Sequence, residues 1–332
     1  MIARRARTSK RMCCGSPRQQ RGIAMMVAIL LVAFGTILAA GIAFKSAMAA
    51  RRSTATLSMD QSLLVAEAAE ALAAYALRED KRSAGANAQT HIGQSWGQPL
   101  GPVEVVPGIV LEAYVQDESA RFNLNSLVND SGQVDPIAVE KLEDLMEQAG
   151  VERKWASVFA DWIDADTQPL PNGAEDSLYA AQDPPYRAPN TVVTSASELL
   201  AMPEFGRERY VKLAPFVTAL PRDAKINVCT ASGLVIDSLV DASYKQYSRD
   251  PEELQKEREN TGCFPGRDVL QQSFSDQADW TQKVEPRVSE TSDYFRLTSI
   301  VTIGSAEFTL YSLLWREPSG QVRVMMRSFS PD

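Results

Sequence analysis

The chain has 332 residues, 45% hydrophobic and 23% charged, enough apolar material for a sizeable core in one large or two ordinary domains. Its formal net charge of −8 hides an asymmetry: residues 1–22 hold seven of the 34 basic residues and none of the 42 acids, which leaves residues 23–332 at −15. So acidic a body argues against binding a nucleic-acid backbone, and one histidine, His91, gives His-based triads and His-rich metal sites little to work with.

From Ile23 to Phe44 there is no charged side chain, and these 22 residues make a helix of about 33 Å, long enough to cross a bilayer. Arg4, Arg5, Arg7, Lys10, Arg11, Arg18 and Arg21 precede it, so the positive-inside bias keeps residues 1–22 in the cytoplasm and puts everything beyond Phe44 outside. Lys45 to Leu77 contains neither Gly nor Pro and is predicted to continue the helix, with Leu57, Leu64, Ala68, Leu72 and Tyr75 forming its packing face. A break near Arg51–Thr54 is the alternative.

Asp80 to Pro107 is rich in Gly, Ser, Gln, Asn and Pro and reads as a loop, with His91 exposed in it. Ile109–Val115 is the first predicted strand, followed by a turn-rich stretch from Asp117 to Leu127. Pro136 opens a helix that runs to about Ala149, and a second runs from about Arg153 to Ile163, with Trp155 and Trp162 as core residues. Residues 164–190 form a long acidic loop. Ser195 or Ser197 can cap the next helix with Glu198 closing a capping box, short helices continue to about Tyr247, and Asp250–Glu259 reads as a solvated charged face. Tyr294–Ile303, Glu307–Trp315 and Val322–Phe329 make an antiparallel meander.

The expected fold is α+β: a long N-terminal spine helix, first transmembrane and then amphipathic, packed on an antiparallel sheet, with a large helical domain inserted. The boundaries are 1–22 for a leader, 23–44 for the span, 45–80 for the outer half of the spine, 81–117 with 289–332 for the head, and 118–288 for the insertion. Two domains in series is the other possible order.

Gly22 directly precedes the apolar run, an arrangement that resembles the leader of a type IV prepilin or pseudopilin, cut after the glycine by prepilin peptidase to leave Ile23 as the new N-terminus. Such chains usually carry Glu at the fifth mature position, where this one has Val27; among pseudopilins that absence is the habit of the K-type minor subunit of the type II secretion system. Arg121-Phe122-Asn123-Leu124-Asn125, Asp161-Trp162-Ile163-Asp164-Ala165-Asp166, Gly173-Ala174-Glu175-Asp176 with Tyr179, Pro185-Tyr186-Arg187-Ala188-Pro189-Asn190 and Ile226-Asn227-Val228-Cys229-Thr230-Ala231 are similar to the same family, in that order.

The resemblance implies a pilin-like, noncatalytic subunit at the tip of a pseudopilus. It would be anchored by one span in a bacterial inner membrane with its C-terminal part in the periplasm. Its partners would be the I- and J-type minor pseudopilins and the major pseudopilin filament, with secreted exoproteins as further contacts. An uncleaved single-pass anchor is the alternative for the leader.

The carboxylates of Asp161, Asp164, Asp166, Glu175 and Asp176 lie on a Pro- and Gly-containing loop, and such hard oxygen ligands suit Ca²⁺. The resemblance also implies calcium in the helical domain, with Asp164, Asp166, Glu175 and Asp176 as expected ligands. The competing reading has Asp161 capping a helix or pairing with an Arg such as Arg187, and the rest solvated. Cys13 and Cys14 belong to the leader; Cys229 and Cys263 remain, an even pair that reads as one disulfide in an oxidising compartment, with two free buried thiols as the alternative. Glu198-Leu199-Leu200, Pro203, Gly206 and Ile226–Ser232 also resemble the helix-hairpin-helix modules of membrane-anchored DNA-uptake proteins. The flanks carry Glu204, Asp223 and Asp237 as well as Arg207, Arg209, Arg222 and Lys225, so the pattern reads as a shared small helical fold and not as evidence of nucleic-acid binding.

Overall fold

The computed structural model describes residues 21–83, 85, 88–240 and 244–330; most of the leader, with Cys13 and Cys14, lies outside the described residues. The chain divides into two compact units between Asp60 and Gln61.

The first helix, α1, spans Arg21–Ser83 without the break considered at Arg51–Thr54. Gly22 and Ile23 fall in its first turn. In the first unit its apolar residues are exposed, Ile23, Leu30 and Phe44 among them. Thr36, the one hydroxyl in the apolar run, donates back to the Ala33 carbonyl and so satisfies its own hydrogen within the helix.

In the second unit α1 packs on a sheet, but through a different face from the one expected. Leu64, Leu72 and Tyr75 stay exposed, while Ser62, Ala66, Ala69, Glu70, Ala73 and Leu77 are buried. Small residues let the helix backbone lie close to the strands, and the bulk is supplied from the sheet by Leu111, Phe295, Leu297, Val301, Leu310 and Leu314, with Trp96 beside them. Glu70 enters this apolar contact already paired: Arg327 forks onto its two carboxylate oxygens at 2.9 and 2.7 Å.

The sheet has five antiparallel strands in the order β1 (Leu100–Val106), β2 (Ile109–Asp117), β7 (Tyr294–Ile303), β8 (Ala306–Arg316) and β9 (Val322–Ser328). The last three match the expected meander closely. β1 was expected as loop; all seven of its positions are exposed, so it shows no inside-outside alternation, and it contains Gly101 and Pro102.

β2 and β7 pair from Ile109↔Ile303 to Asp117↔Phe295, although 176 residues separate them. The intervening chain folds around a core of its own. After β3 (Phe122–Asn123) come α2 (Pro136–Gln148), capped by Asp135, and α3 (Lys154–Ile163). The short α4 (Asp176–Tyr179), α5 (Gly206–Leu213), β4 (Val217–Thr218), β5 (Ile226–Asn227), α6 (Gly233–Leu239), α7 (Pro251–Thr261), α8 (Arg267–Gln272), α9 (Gln277–Asp279) and β6 (Val288–Ser289) follow. β3 pairs with β4 and β5 with β6, both parallel. Trp155 and Trp162 are buried in this second core with Leu142, Phe159, Tyr179 and Phe205.

Two buried groups hold the block to the sheet. The Asp117 carboxylate, at the end of β2, accepts hydrogen bonds from Ser119 N–H, Asn227 Nδ2, Thr230 Oγ1 and Ser292 Oγ. With no cation beside it, burial pushes its pKa up to about 6. Arg316, 3% exposed at the end of β8, donates to the Ser292 carbonyl at 2.7 Å, Thr90 Oγ1 at 2.9 Å and, at 3.3 Å each, the Leu77 carbonyl and Asp80.

Cys229 and Cys263 are joined by a disulfide, with Cα atoms 4.4 Å apart, so the reading of two free thiols does not hold. The charged run 250–259 is not all solvated. Arg258 on α7 is buried and donates to the carbonyls of Phe264, Val228 and Ala231, bonds that a count of charges could not foresee. His91, expected exposed, is half-buried against Gly262.

Replacing Arg316 with Met should lower the unfolding free energy by about 3–5 kcal/mol, because it strands the buried Asp80 carboxylate. Urea denaturation with and without D80N checks this: R316M/D80N should recover part of the loss. Converting both Cys229 and Cys263 to Ala should cost about 3–4 kcal/mol, the loop-entropy value for a separation of 34 residues.

Candidate metal centre

α3 is amphipathic and ends where Asp164 takes an extended conformation as its C-cap. Asp161 and Asp164 are three residues apart and so share one side of that last turn. The loop then turns back, and Glu175, at the N-cap position of α4, closes the group. One carboxylate oxygen from each of Asp161, Asp164 and Glu175 lies within 4.8 Å of the others, and all three side chains are buried.

Their hydrogen bonding is uneven. Asp161 accepts from Leu170 N–H through both oxygens, at 3.2 and 3.1 Å, which pins the loop over the helix end. Gly173 lies so close that a Cβ there would stand 1.9 Å from Asp161 Oδ2; only glycine allows the approach. By contrast Asp164 Oδ1 and both oxygens of Glu175 are buried with no hydrogen-bond partner. An unpartnered buried carboxylate oxygen is costly, so three in one place make a group that could hold a cation.

Electrostatics point the same way. Burial first, then mutual repulsion, pushes the carboxyls of Asp161 and Asp164 up to about 6 and that of Glu175 to about 7. A bound cation would reverse both effects, since it supplies the missing charge and the missing coordination at once. The residues fit a metal, and the three carboxylates offer up to six oxygens if each binds with both.

The other two expected ligands have different duties. Asp166 is exposed and accepts from Gln168 N–H at 2.7 Å. Asp176 accepts from Ala188 N–H at 3.1 Å and stands 3.9 Å from Arg187. The Arg187 partner considered for Asp161 therefore belongs to Asp176, and Asp161 joins the cluster. Its position in the last turn of a helix was the available signal: a carboxylate there opposes the helix dipole and calls for a compensating positive charge.

The remaining motif residues brace the loop. Asn190, at φ 46°, donates its backbone N–H to the Trp162 carbonyl and its Nδ2 to the Asp166 carbonyl. Tyr186 donates to the Ala201 carbonyl at 2.6 Å, and Trp162, Tyr179 and Tyr186 form one aromatic group in which Trp162 meets both tyrosines edge to face. Asn125 donates to the Val193 and Leu220 carbonyls and accepts from Val193 N–H, tying the next stretch of chain to the start of the block.

A family model described as type II secretion system protein K matches residues 120–222, a stretch that contains the carboxylate cluster and Glu198 to Gly206. The alternative of a helix-hairpin-helix DNA-uptake protein finds no support in that match, and Asn227 and Thr230 serve as internal ties to Asp117. The chain is 33% identical to type II secretion system protein K of Pseudomonas aeruginosa, with 93% of each chain covered. It is 32% identical to the Pectobacterium carotovorum protein of that name, covering 94% of this chain and 97% of the other.

In structure it is similar to a chain of the GspK-GspI-GspJ complex from the type 2 secretion system of enterotoxigenic Escherichia coli. The TM-score is 0.71 at 26% identity, over 85% of this chain and all of the other. On sequence and fold together, the chain belongs to the type II secretion system protein K family.

Proposed function

We propose that the chain works as the K-type minor pseudopilin at the tip of a periplasmic pseudopilus, assembled with I- and J-type partners on top of the major pseudopilin filament. The observation that carries this is its likeness to a chain of a complex named for its K, I and J components, over that chain's whole length. Val27 at the fifth position after Gly22 fits a subunit with nothing above it to meet, and the block between β2 and β7 is bulk that would obstruct a further subunit. The part assigned is structural; no reaction is involved.

The proposed organisation is a leader of residues 1–22 removed by prepilin peptidase between Gly22 and Ile23, a span at 23–44 in the inner membrane, and the outer half of the spine at 45–80. A head at 81–117 with 289–332 then carries the block 118–288 in the periplasm. Secreted exoproteins would be met at this exposed end.

The cation assigned to the carboxylate cluster is calcium. All three side chains are hard oxygen donors with no His or Cys among them, which favours Ca²⁺ or Mg²⁺ over zinc. A flexible bidentate set suits Ca²⁺ better than the strict octahedron of Mg²⁺. When bound, the ion would neutralise the cluster and lock the loop between α3 and α4.

Isothermal titration of the full chain in detergent should give a calcium-binding isotherm that E175Q and D161N abolish; no heat with wild type and no change in melting would remove the calcium assignment. The metal-free protein should also respond to pH in a set direction. Each of the three folded pKa values is above its unfolded one, so the charged cluster penalises the fold in full only above about pH 7, where all three are ionised. Stability returns as pH falls through about 7 and about 6 toward the ordinary carboxylate range. In chelator, D164N should therefore flatten the gain in melting temperature between neutral and mildly acid pH, and saturating Ca²⁺ should do the same in wild type. For the leader, Edman sequencing of the mature protein should begin at Ile23, and G22A should leave the precursor uncut.

A further inference from the structure

The segment that follows the apolar run has a charge pattern that neither the anchor nor the secretion role uses. Between Phe44 and Met59 the charged residues are Lys45, Arg51 and Arg52, and the first acid anywhere in the chain is Asp60. All three basic side chains are exposed on α1, and among the described residues none of them carries an ion pair. The nearby hydroxyls take no part: Thr54 and Thr56 donate back to the Ala50 and Arg52 carbonyls.

Their axial positions are informative. Lys45 is the next residue after the apolar run, and Arg51 and Arg52 lie about 9 to 10.5 Å further along at 1.5 Å per residue. The polar layer on each side of a bilayer core is about 5–8 Å thick, and long basic side chains bend back toward it while their stems stay on apolar surface. Lys45 and Arg52, seven residues apart, share one face of the helix, and Arg51 is turned about 100° from Arg52. The three cations thus bracket the headgroup level on one side of the membrane.

Charge at this end also works against orientation. The positive-inside bias rests on basic residues staying on the leader side, and each one carried across opposes it. Seven precede the span, yet three are retained beyond it with no acid beside them to cancel their effect.

We propose that Lys45, Arg51 and Arg52 form a binding site for the headgroups of anionic phospholipids in the leaflet on the Phe44 side, fixing the depth at which α1 emerges. The proposal rests on α1 crossing the bilayer and is independent of the assembly partners. Two arginines offer forked donors to the phosphate oxygens, and the lysine supplies a point charge at the edge of the hydrocarbon. Each cation at an anionic surface strengthens association about fivefold at moderate ionic strength, and the effect fades with salt.

The test uses the full chain reconstituted in vesicles of phosphatidylcholine with and without phosphatidylglycerol. Electron paramagnetic resonance of spin-labelled phosphatidylglycerol and phosphatidylcholine then measures which lipid is immobilised at the protein. The leader cations contribute equally to every variant, so the comparison isolates the three residues. Wild type should favour phosphatidylglycerol; R51Q/R52Q should reduce that preference several-fold, K45Q should reduce it further, high salt should mimic the loss, and R51K/R52K should restore most of it.

An unchanged preference in R51Q/R52Q overturns the proposal. So does a variant with normal lipid preference that no longer co-purifies with neighbouring subunits, which would assign the arginines to acidic groups of a protein partner. Failure of wild type to enter the vesicles would instead remove the membrane-span reading on which the proposal stands.

Discussion

The Asp117 carboxylate sits where the chain leaves the sheet and accepts hydrogen bonds from both the departing and the returning strand of the excursion. Ser119 is on the way out, Ser292 on the way back, and Asn227 and Thr230 reach it from the middle of the block. A buried anion with no cation beside it is tolerable only because four donors replace its water. Arg316, hydrogen-bonded to the Ser292 carbonyl and to Asp80, extends the same junction to the end of α1. The relation of the helical block to the sheet therefore depends on one small polar centre as well as on the two apolar cores on either side of it.

The carboxylate cluster applies the opposite design. At Asp117 every lone pair in use has a protein donor, whereas at Asp164 and Glu175 buried oxygens are left without any. The first arrangement is complete within the chain; the second leaves room for a cation to complete it. The braces around it, Gly173 against Asp161 and Asn190 across Trp162 and Asp166, belong to chain segments that local propensity alone would leave irregular. In such a loop the ion would supply the cohesion that an apolar core supplies elsewhere.

Much of the fold was legible because periodicity and punctuation agree. β2 and β8 alternate, β7 is rich in β-branched and aromatic residues, α2 begins at an Asp-Pro pair, and α3 is an apolar helix buried from Trp155 to Ile163. The failures share a physical cause. On α1 two stripes obey helical spacing, one with the large residues Leu64, Leu72 and Tyr75 and one with Ala66, Ala69 and Ala73; size favours burying the first, but close packing on a sheet selects the alanines. β1 lies at an edge with every side chain exposed, so no inside-outside contrast is written into it. Arg258 escaped the sequence reading because its partners, backbone carbonyls, are defined only by tertiary structure.

The pairing of β2 with β7 brings a last consequence. In topology these two strands are a hairpin whose turn has been replaced by 176 residues. An open coil of that length would bring its ends together only at a large entropic cost, and the search would be slow. A block that has already condensed, with its entry and exit held side by side, presents the strands to each other as a tight turn would.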